Sequence, residues 1–200
     1  YLRKGQKQLS AKGISVPYDL TYLEGMLLEE YLHDLQIVQE FASLNREIIL
    51  DELLKGMKWK VIDTYSSVHN CIDCSNETID IFHTPMLRKG AISAKEGELV
   101  IIPINMRDGI ILGTGLGNID WNCSAPHGAG RLMSRKEAFK RLSLDEYRKE
   151  MEGIYTTCVD RTTLDEAPMA YKSLGDIIDV IKESVDVIEV MKPIFNFKAN

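Results

Sequence analysis

The sequence predicts an α+β protein: one long helix, then an antiparallel or mixed sheet with short flanking helices. Three observations predict it. The first third carries a sustained helical periodicity, the middle carries β-formers separated by turn residues, and the last third carries serine-x-x-glutamate helix starts. Elements grouped in that order, rather than alternating strand and helix, describe α+β. At 200 residues and 44% apolar, the chain is long and apolar enough to bury a substantial core as one domain, or the larger part of one.

Residues 1–18 show no clean period and read as irregular up to Val16-Pro17. From about Tyr22 to Lys55, Leu28, Leu32 and Leu35, then Ile37, Phe41, Leu44 and Ile48, recur at helical spacing, with Gly56 as the stop. His33 falls on this helix and reads as a solvent-facing or packing histidine. Trp59 to Tyr65 alternates and reads as a strand running into Ser66–Asn70, which puts His69 at a strand end. Ala91–Ala94, a turn at Lys95-Glu96-Gly97, and Glu98–Ile104 read as a hairpin. Arg107-Asp108-Gly109 reads as a further turn before a strand at Ile110–Leu112. Gly113-Thr114-Gly115-Leu116-Gly117 superficially matches a dinucleotide fingerprint, but that motif needs a helix directly after it and Asn118–Asn122 does not supply one. Ser134-x-x-Glu137 and Ser143-x-x-Glu146 predict two capped helices, the second ending near Gly153. Thr163–Pro168 reads as a polar loop, Ser173 as the cap of a helix to about Glu183, and Val185–Val190 and Pro193–Phe197 as strand-like.

Charge and composition exclude several classes. The net charge of −6 argues against whole-surface nucleic-acid binding, although Arg131, Arg135, Lys136, Lys140 and Arg141 form a local basic stripe. No apolar run reaches the roughly 18 residues of a membrane span. No secretory signal opens the chain, and the expected location is the cytoplasm. The four cysteines include Cys71-x-x-Cys74, which can be redox-active or half of a zinc site, yet a second C-x-x-C is missing and so is the βαβ setting of a redox motif. Buried or inert thiols are the simpler reading. There is no Walker loop, no K-x-D-G and no H-x-H-x-H.

The most informative stretch is Ser124-Ala125-Pro126-His127-Gly128-Ala129-Gly130-Arg131. Glycines allow close backbone approach to a ligand, arginine suits phosphate, and a helix start follows at Ser134. A neutral imidazole can attack phosphorus and hold it covalently, with fixed donors meeting the oxygen charge. The plain alternative is a glycine-rich turn with a surface histidine. His69 is the best metal candidate, with Asn70 beside it as a hydrogen-bonding partner, but one histidine does not make a site. His83 reads as a loop histidine. Lys172 precedes a helix start and could reach a phosphate or a base; its plain reading is a surface lysine.

Five ordered segments together resemble one family. His127-Gly128-Ala129-Gly130-Arg131-Leu132-Met133-Ser134-Arg135 is close to the H-G-A-G-R-x-M-S-R of the RtcB family of GTP- and manganese-dependent RNA ligases. His69-Asn70 resembles the family's H-N pair. Arg88–Ile92 and Glu96–Leu99 resemble its strand framework. Pro103-Ile104-Asn105-Met106 falls where the family has P-G-S-M, and Glu166–Lys172 resembles E-x-P-x-A-Y-K. The resemblance covers essentially the whole chain and falls on the C-terminal half of a full-length member, so residues 1–200 are expected to be the C-terminal part of an RtcB-like catalytic domain, from a divergent subfamily.

What the resemblance implies is specific. His127 would be the residue that takes GMP covalently, and His69 a manganese ligand. Asn70, Pro103, Ile104, Asn105, Met106, Gly128, Ala129, Gly130, Arg131 and Lys172, with His69 and His127, would form the nucleotide site. The implied reaction joins RNA 3′-phosphate or 2′,3′-cyclic phosphate ends to 5′-hydroxyl ends, in tRNA splicing or RNA repair, with GTP as cofactor and room for an activating protein partner. Two departures stand out. A carboxamide at Asn105 replaces a serine hydroxyl, and a further serine contact would fall near Gly109 or Ile110, which have none. The family's cysteine and two further metal histidines belong upstream of these residues, so the chain alone is expected to be inactive. A non-catalytic fragment, or a phosphate- or RNA-binding module, is the alternative.

Overall fold

The computed structural model describes residues 1–197, which divide into two compact units, one spanning Tyr1–Thr64 and one starting at Tyr65. The elements confirm the α+β class.

The first unit is helical. Helix α1 (Leu2–Ala11) lies where irregular chain was expected. Its sequence carries only two large apolar residues besides its terminal alanine, too few to show a period. Its burial comes from tertiary partners instead: Gly5 and Leu9 are buried, and Gln8 exchanges hydrogen bonds with the Glu24 backbone, its Nε2 donating to the carbonyl at 2.9 Å. Helix α2 (Met26–Met57) is the predicted long helix, beginning four residues later than its apolar pattern suggested. Gly56 does not end it; Lys58, in a left-handed conformation, does. None of the 32 residues of α2 is buried, and Ile37, Phe41, Leu44 and Ile48 are exposed. His33 is exposed on it.

One correction falls at the boundary, in sequence, between the two units. Residues 59–68 form no strand, and Ile62 is fully exposed. Strand β1 (Asn70–Asp73) starts after His69, so this histidine leads into a strand rather than closing one. Ser75 caps helix α3 (Asn76–Phe82), and His83 is its left-handed C-cap. Strand β2 (Met86–Lys89) pairs antiparallel with β1, Asn70 opposite Lys89.

The expected Ala91–Ile104 hairpin divides between two sheets. Strand β3 (Ala91–Ser93) pairs with β6 (Ser124–Pro126), while β4 (Leu99–Asn105) pairs with β5 (Gly109–Gly115), and β5 pairs with β8 (Val185–Met191). The Glu98 carboxylate holds the intervening turn, accepting from the Lys95 backbone at 3.0 Å and from the Ser93 hydroxyl. The turn is local, but the partner of β3 lies some thirty residues further on. Gly113 and Gly115, two of the false fingerprint's three glycines, lie inside β5.

Helices α4 (Arg135–Arg141) and α5 (Leu144–Glu150) both carry complete capping boxes, from Ser134 and Ser143. Ser173 caps α6 (Leu174–Ile181) in the same way. The expected polar loop at Thr163–Pro168 is instead two short 3-10 turns, Leu164–Glu166 and Pro168–Ala170. Strand β7 (Tyr155–Thr156) pairs parallel with β9 (Phe195–Asn196). The main core packs Val100, Ile102, Ile104 and Ile111 of the central sheet against Ile177 and Ile181 of α6. A second core gathers Met106, Tyr147, Met151, Cys158 and Leu164. Among the described residues no helix is long and apolar enough to cross a membrane.

Candidate active site

Two strand pairs set the position of the histidines. The β1–β2 pair is pinned by Arg88, whose side chain is 2% exposed. Its Nη1 donates to Asp73 at 2.9 Å and its Nε to Ser124 of β6 at 3.0 Å. Burial works against the Asp73 charge, but hydrogen bonds from Thr78, Ser75 and Arg88 outweigh it and hold the carboxyl well below the usual carboxylate range. Because Arg88 reaches from one small sheet to the other, His69 ahead of β1 and His127 after β6 meet. Their rings stack with centroids 5.0 Å apart and planes 11° from parallel.

His127 is exposed, and its Nδ1 lies 2.6 Å from the Gly90 carbonyl oxygen. Its backbone N–H donates to the same oxygen at 3.3 Å. The Gly90 N–H in turn donates to the His69 carbonyl at 3.0 Å and to Asn70 Oδ1 at 3.2 Å. Asn70 therefore reaches the site through this backbone contact.

The glycine loop follows at once. The Ala129 N–H donates to the Pro103 carbonyl at 3.1 Å, and Ala129 is buried, so its amide is committed to the fold. Gly128 and Gly130 line a cleft of about 920 Å3 together with His127, Pro103–Met106 and the segment Lys192–Phe197. Nothing in the sequence of that last segment marks it as part of a site. Asn196 Nδ2 ties it to the cleft floor by donating to the Met106 carbonyl at 2.8 Å.

Lys172 sits on the other side of the loop. Its backbone N–H donates to the Gly130 carbonyl at 3.2 Å, next to an isolated bridge between Arg131 and Tyr171. Lys172, Gly90 and His127 line a second cleft of about 510 Å3. His127 borders both clefts, whereas Lys172 and Pro103–Met106 lie on different ones.

Four other expected contact residues turn inward. Arg131 donates through Nε to the Met133 carbonyl at 3.1 Å, through Nη1 to the Tyr171 hydroxyl at 2.9 Å, and through Nη2 to the Asp165 carbonyl. Its guanidinium also lies 4.8 Å from the Tyr171 ring centroid. Burial, then the hydrogen bond to Glu166, pushes the Tyr171 phenol up to about 12. Ile104 and Met106 are core residues, and Met106 sulfur accepts from Tyr147. The Asn105 carboxamide closes its own turn, as Oδ1 accepts from the Arg107 and Asp108 N–H groups and Nδ2 donates to Asp108. At Gly109 a side chain is impossible without moving β8, because a Cβ would lie 2.1 Å from the Met191 carbonyl oxygen. Of the basic stripe, Arg135 pairs with Asp165 and Glu166, while Lys136, Lys140 and Arg141 are exposed.

Manganese, which the resemblance implies, takes nitrogen and oxygen donors. His69 offers one imidazole, and among the described residues no three His, Cys, Asp or Glu side chains converge. The residues described do not make a complete manganese site. Cys71 and Cys74 are free thiols, with Cys74 exposed and the Cys71 thiol pushed up by burial.

The fold and site together define an α+β protein with a paired-histidine, glycine-loop cleft. The family follows from comparison: the tRNA-splicing ligase RtcB family matches residues 1–199, and the chain belongs to it. RNA-splicing ligase RtcB1 of Escherichia coli (strain ATCC 25922) is 29% identical over 209 residues, covering 97% of this chain and 50% of that protein. The tRNA-splicing ligase RtcB of Thermococcus kodakarensis is 27% identical over 213 residues, covering 90% and 43%. That of Pyrococcus horikoshii is 34% identical over 105 residues, covering 49% and 12%. The chain spans about half the length, or less, of these curated relatives.

Proposed function

We propose that this chain is the nucleotide-activating, C-terminal part of an RNA ligase, with His127 as its nucleophile. The observation that carries the reading is the His127 ring. Its Nδ1 is held by a carbonyl oxygen, and the residue borders two clefts large enough for a nucleotide. Family membership supports RNA ligation as the activity.

In the proposed reaction, His127 Nε2 attacks the α-phosphorus of GTP. A P–N bond forms, the bond to the β-phosphate oxygen breaks, and pyrophosphate leaves. GMP passes next to the 3′-phosphate of an RNA, giving an activated end and freeing the histidine. A 5′-hydroxyl then attacks that phosphorus, the new phosphodiester forms, and GMP leaves with its electron pair. RNA ends carrying a 2′,3′-cyclic phosphate would enter after opening to the 3′-phosphate. Gly128 and Gly130 would face the phosphates, Lys172 would reach the nucleotide from the second cleft, and exposed Lys136, Lys140 and Arg141 would hold RNA backbone. Manganese is proposed as the cofactor, with His69 as one ligand and the rest supplied from outside this chain; when bound it would act as a Lewis acid.

The test is incubation with radiolabelled GTP and manganese, of this chain and of the longest form of the protein, followed by denaturing gel and acid treatment. Acid-labile label on the longer form that disappears in His127→Ala supports the reading. Label that persists in His127→Ala overturns the nucleophile. No label on either form favours a phosphate- or RNA-binding role without turnover. Label on the isolated chain excludes that non-catalytic reading.

A further inference from the structure

We infer that Gly90 is the positioning residue of His127: its carbonyl fixes the imidazole as the Nδ1–H tautomer, and Asn70 anchors the preceding peptide that aims this carbonyl. The inference rests on the proposal that His127 is the nucleophile.

A carbonyl oxygen can only accept. The 2.6 Å approach of Nδ1 to Gly90 O therefore requires the proton on Nδ1, and in a neutral ring this leaves the lone pair on Nε2. The same oxygen accepts the His127 backbone N–H, so ring and main chain register on one atom. Two consecutive peptide planes meet at Gly90. The first is fixed by its N–H, which His69 O and Asn70 Oδ1 share. The second carries the carbonyl, and its orientation relative to the first is set by φ and ψ at Gly90, where φ is +69°. Glycine adopts that conformation without strain, whereas most other residues do not. Space is not the constraint, since a Cβ at Gly90 would lie 3.5 Å from His127 Cε1, an ordinary contact. The stacked His69 ring restricts His127 from turning over. In sequence Gly90 stands out only as part of a strand framework, because a carbonyl direction leaves no side-chain signature.

Conformation and size make opposite predictions at this position. Asparagine is larger than alanine but tolerates a positive φ far better. If Gly90 acts through its conformation, Gly90→Asn retains more function than Gly90→Ala.

The test is a long-range 1H–15N correlation spectrum of the 15N-labelled 200-residue chain, read at a pH where His127 is neutral. It is paired with GTP labelling of the longest form. The expected wild-type spectrum shows a protonated Nδ1 and a pyridine-like Nε2. Gly90→Ala and Asn70→Ala should shift His127 toward a tautomer mixture. Gly90→Ala should slow guanylylation by about tenfold or more, since a wrong tautomer is costly in histidine catalysis, with Gly90→Asn intermediate. A wild-type His127 protonated on Nε2 overturns the inference, as does Gly90→Ala outperforming Gly90→Asn. If Gly90→Ala does not fold, an unchanged tautomer in Asn70→Ala overturns the anchoring role. A fixed Nδ1–H tautomer with no GTP label on the longest form would sink the proposed nucleophile and leave the positioning intact. Label on His127 with the opposite tautomer would do the reverse.

Discussion

The His127 corner and the Asn105 turn border the same cleft and treat their polar groups in opposite ways. At the corner, backbone groups satisfy one another around Gly90, and the histidine ring keeps one nitrogen outside that network. At the turn, the Asn105 carboxamide is committed to Arg107 and Asp108, and Ile104 and Met106 are core. The corner carries motifs on which the resemblance to the family rests, whereas the turn is where the sequence departs from the P-G-S-M of that resemblance. What separates them is the direction of hydrogen-bonding capacity after folding: outward at the corner, inward at the turn.

Removing the outward group gives the largest effect. In the longest form of the protein, His127→Ala should lower guanylylation by about three orders of magnitude or more, as loss of a covalent nucleophile does. Its thermal unfolding midpoint should change little, because the side chain is exposed. A large loss of stability with residual labelling would show the corner to be structural.

Next is the pin beneath the corner. Asp73→Ala leaves the Arg88 guanidinium buried without its carboxylate, and breaking such a pair costs about 3 kcal/mol. Denaturant unfolding of this chain measures it. The pH dependence has a definite sign. The folded carboxyl titrates below its unfolded value of about 3.9, so its contribution is complete above that pH and fades as the pH falls toward the folded-state value. Asp73→Ala should therefore flatten the acid limb of the stability curve, and an unchanged limb would remove Asp73 from the account.

Arg131 falls between the two regions. Read from sequence it is a phosphate clamp, but in the structure it bridges Met133, Tyr171 and Asp165. Arg131→Lys cannot reproduce three divergent donations and a ring contact, so it should cost about 2 kcal/mol of stability. If stability holds and only GTP labelling weakens, the clamp reading returns.

These cases show what was legible in the sequence. Local signals carried well: the three serine caps, the period of α2 and the turn read at Arg107-Asp108-Gly109, observed over residues 106–108, each depend on neighbours within a few residues. Non-local pairing did not. Gly5 and Leu9 of helix α1 are buried through residues beyond it, Trp59–Tyr65 alternates yet forms no strand, and β3 finds β6 rather than β4. The same division holds in the site. His127 and His69 stood out as residue types, while Gly90 and the Lys192–Phe197 wall of the cleft act through backbone position.

The smallest expected effect tests the turn directly. Asn105→Ala removes two acceptor contacts and one donor contact that fold residues 105–108, and Asx-type turns of this kind contribute about 1 kcal/mol. If the turn faces inward, stability falls by that amount while guanylylation of the longest form at saturating GTP stays within about twofold. Asn105→Ser, which restores the family's hydroxyl, should behave the same way, because the backbone sets the direction of this side chain. A gain in GTP labelling from serine without a stability change would mean that the turn reopens toward the cleft. The difference between the two regions would then lie in one side chain rather than in the path of the chain.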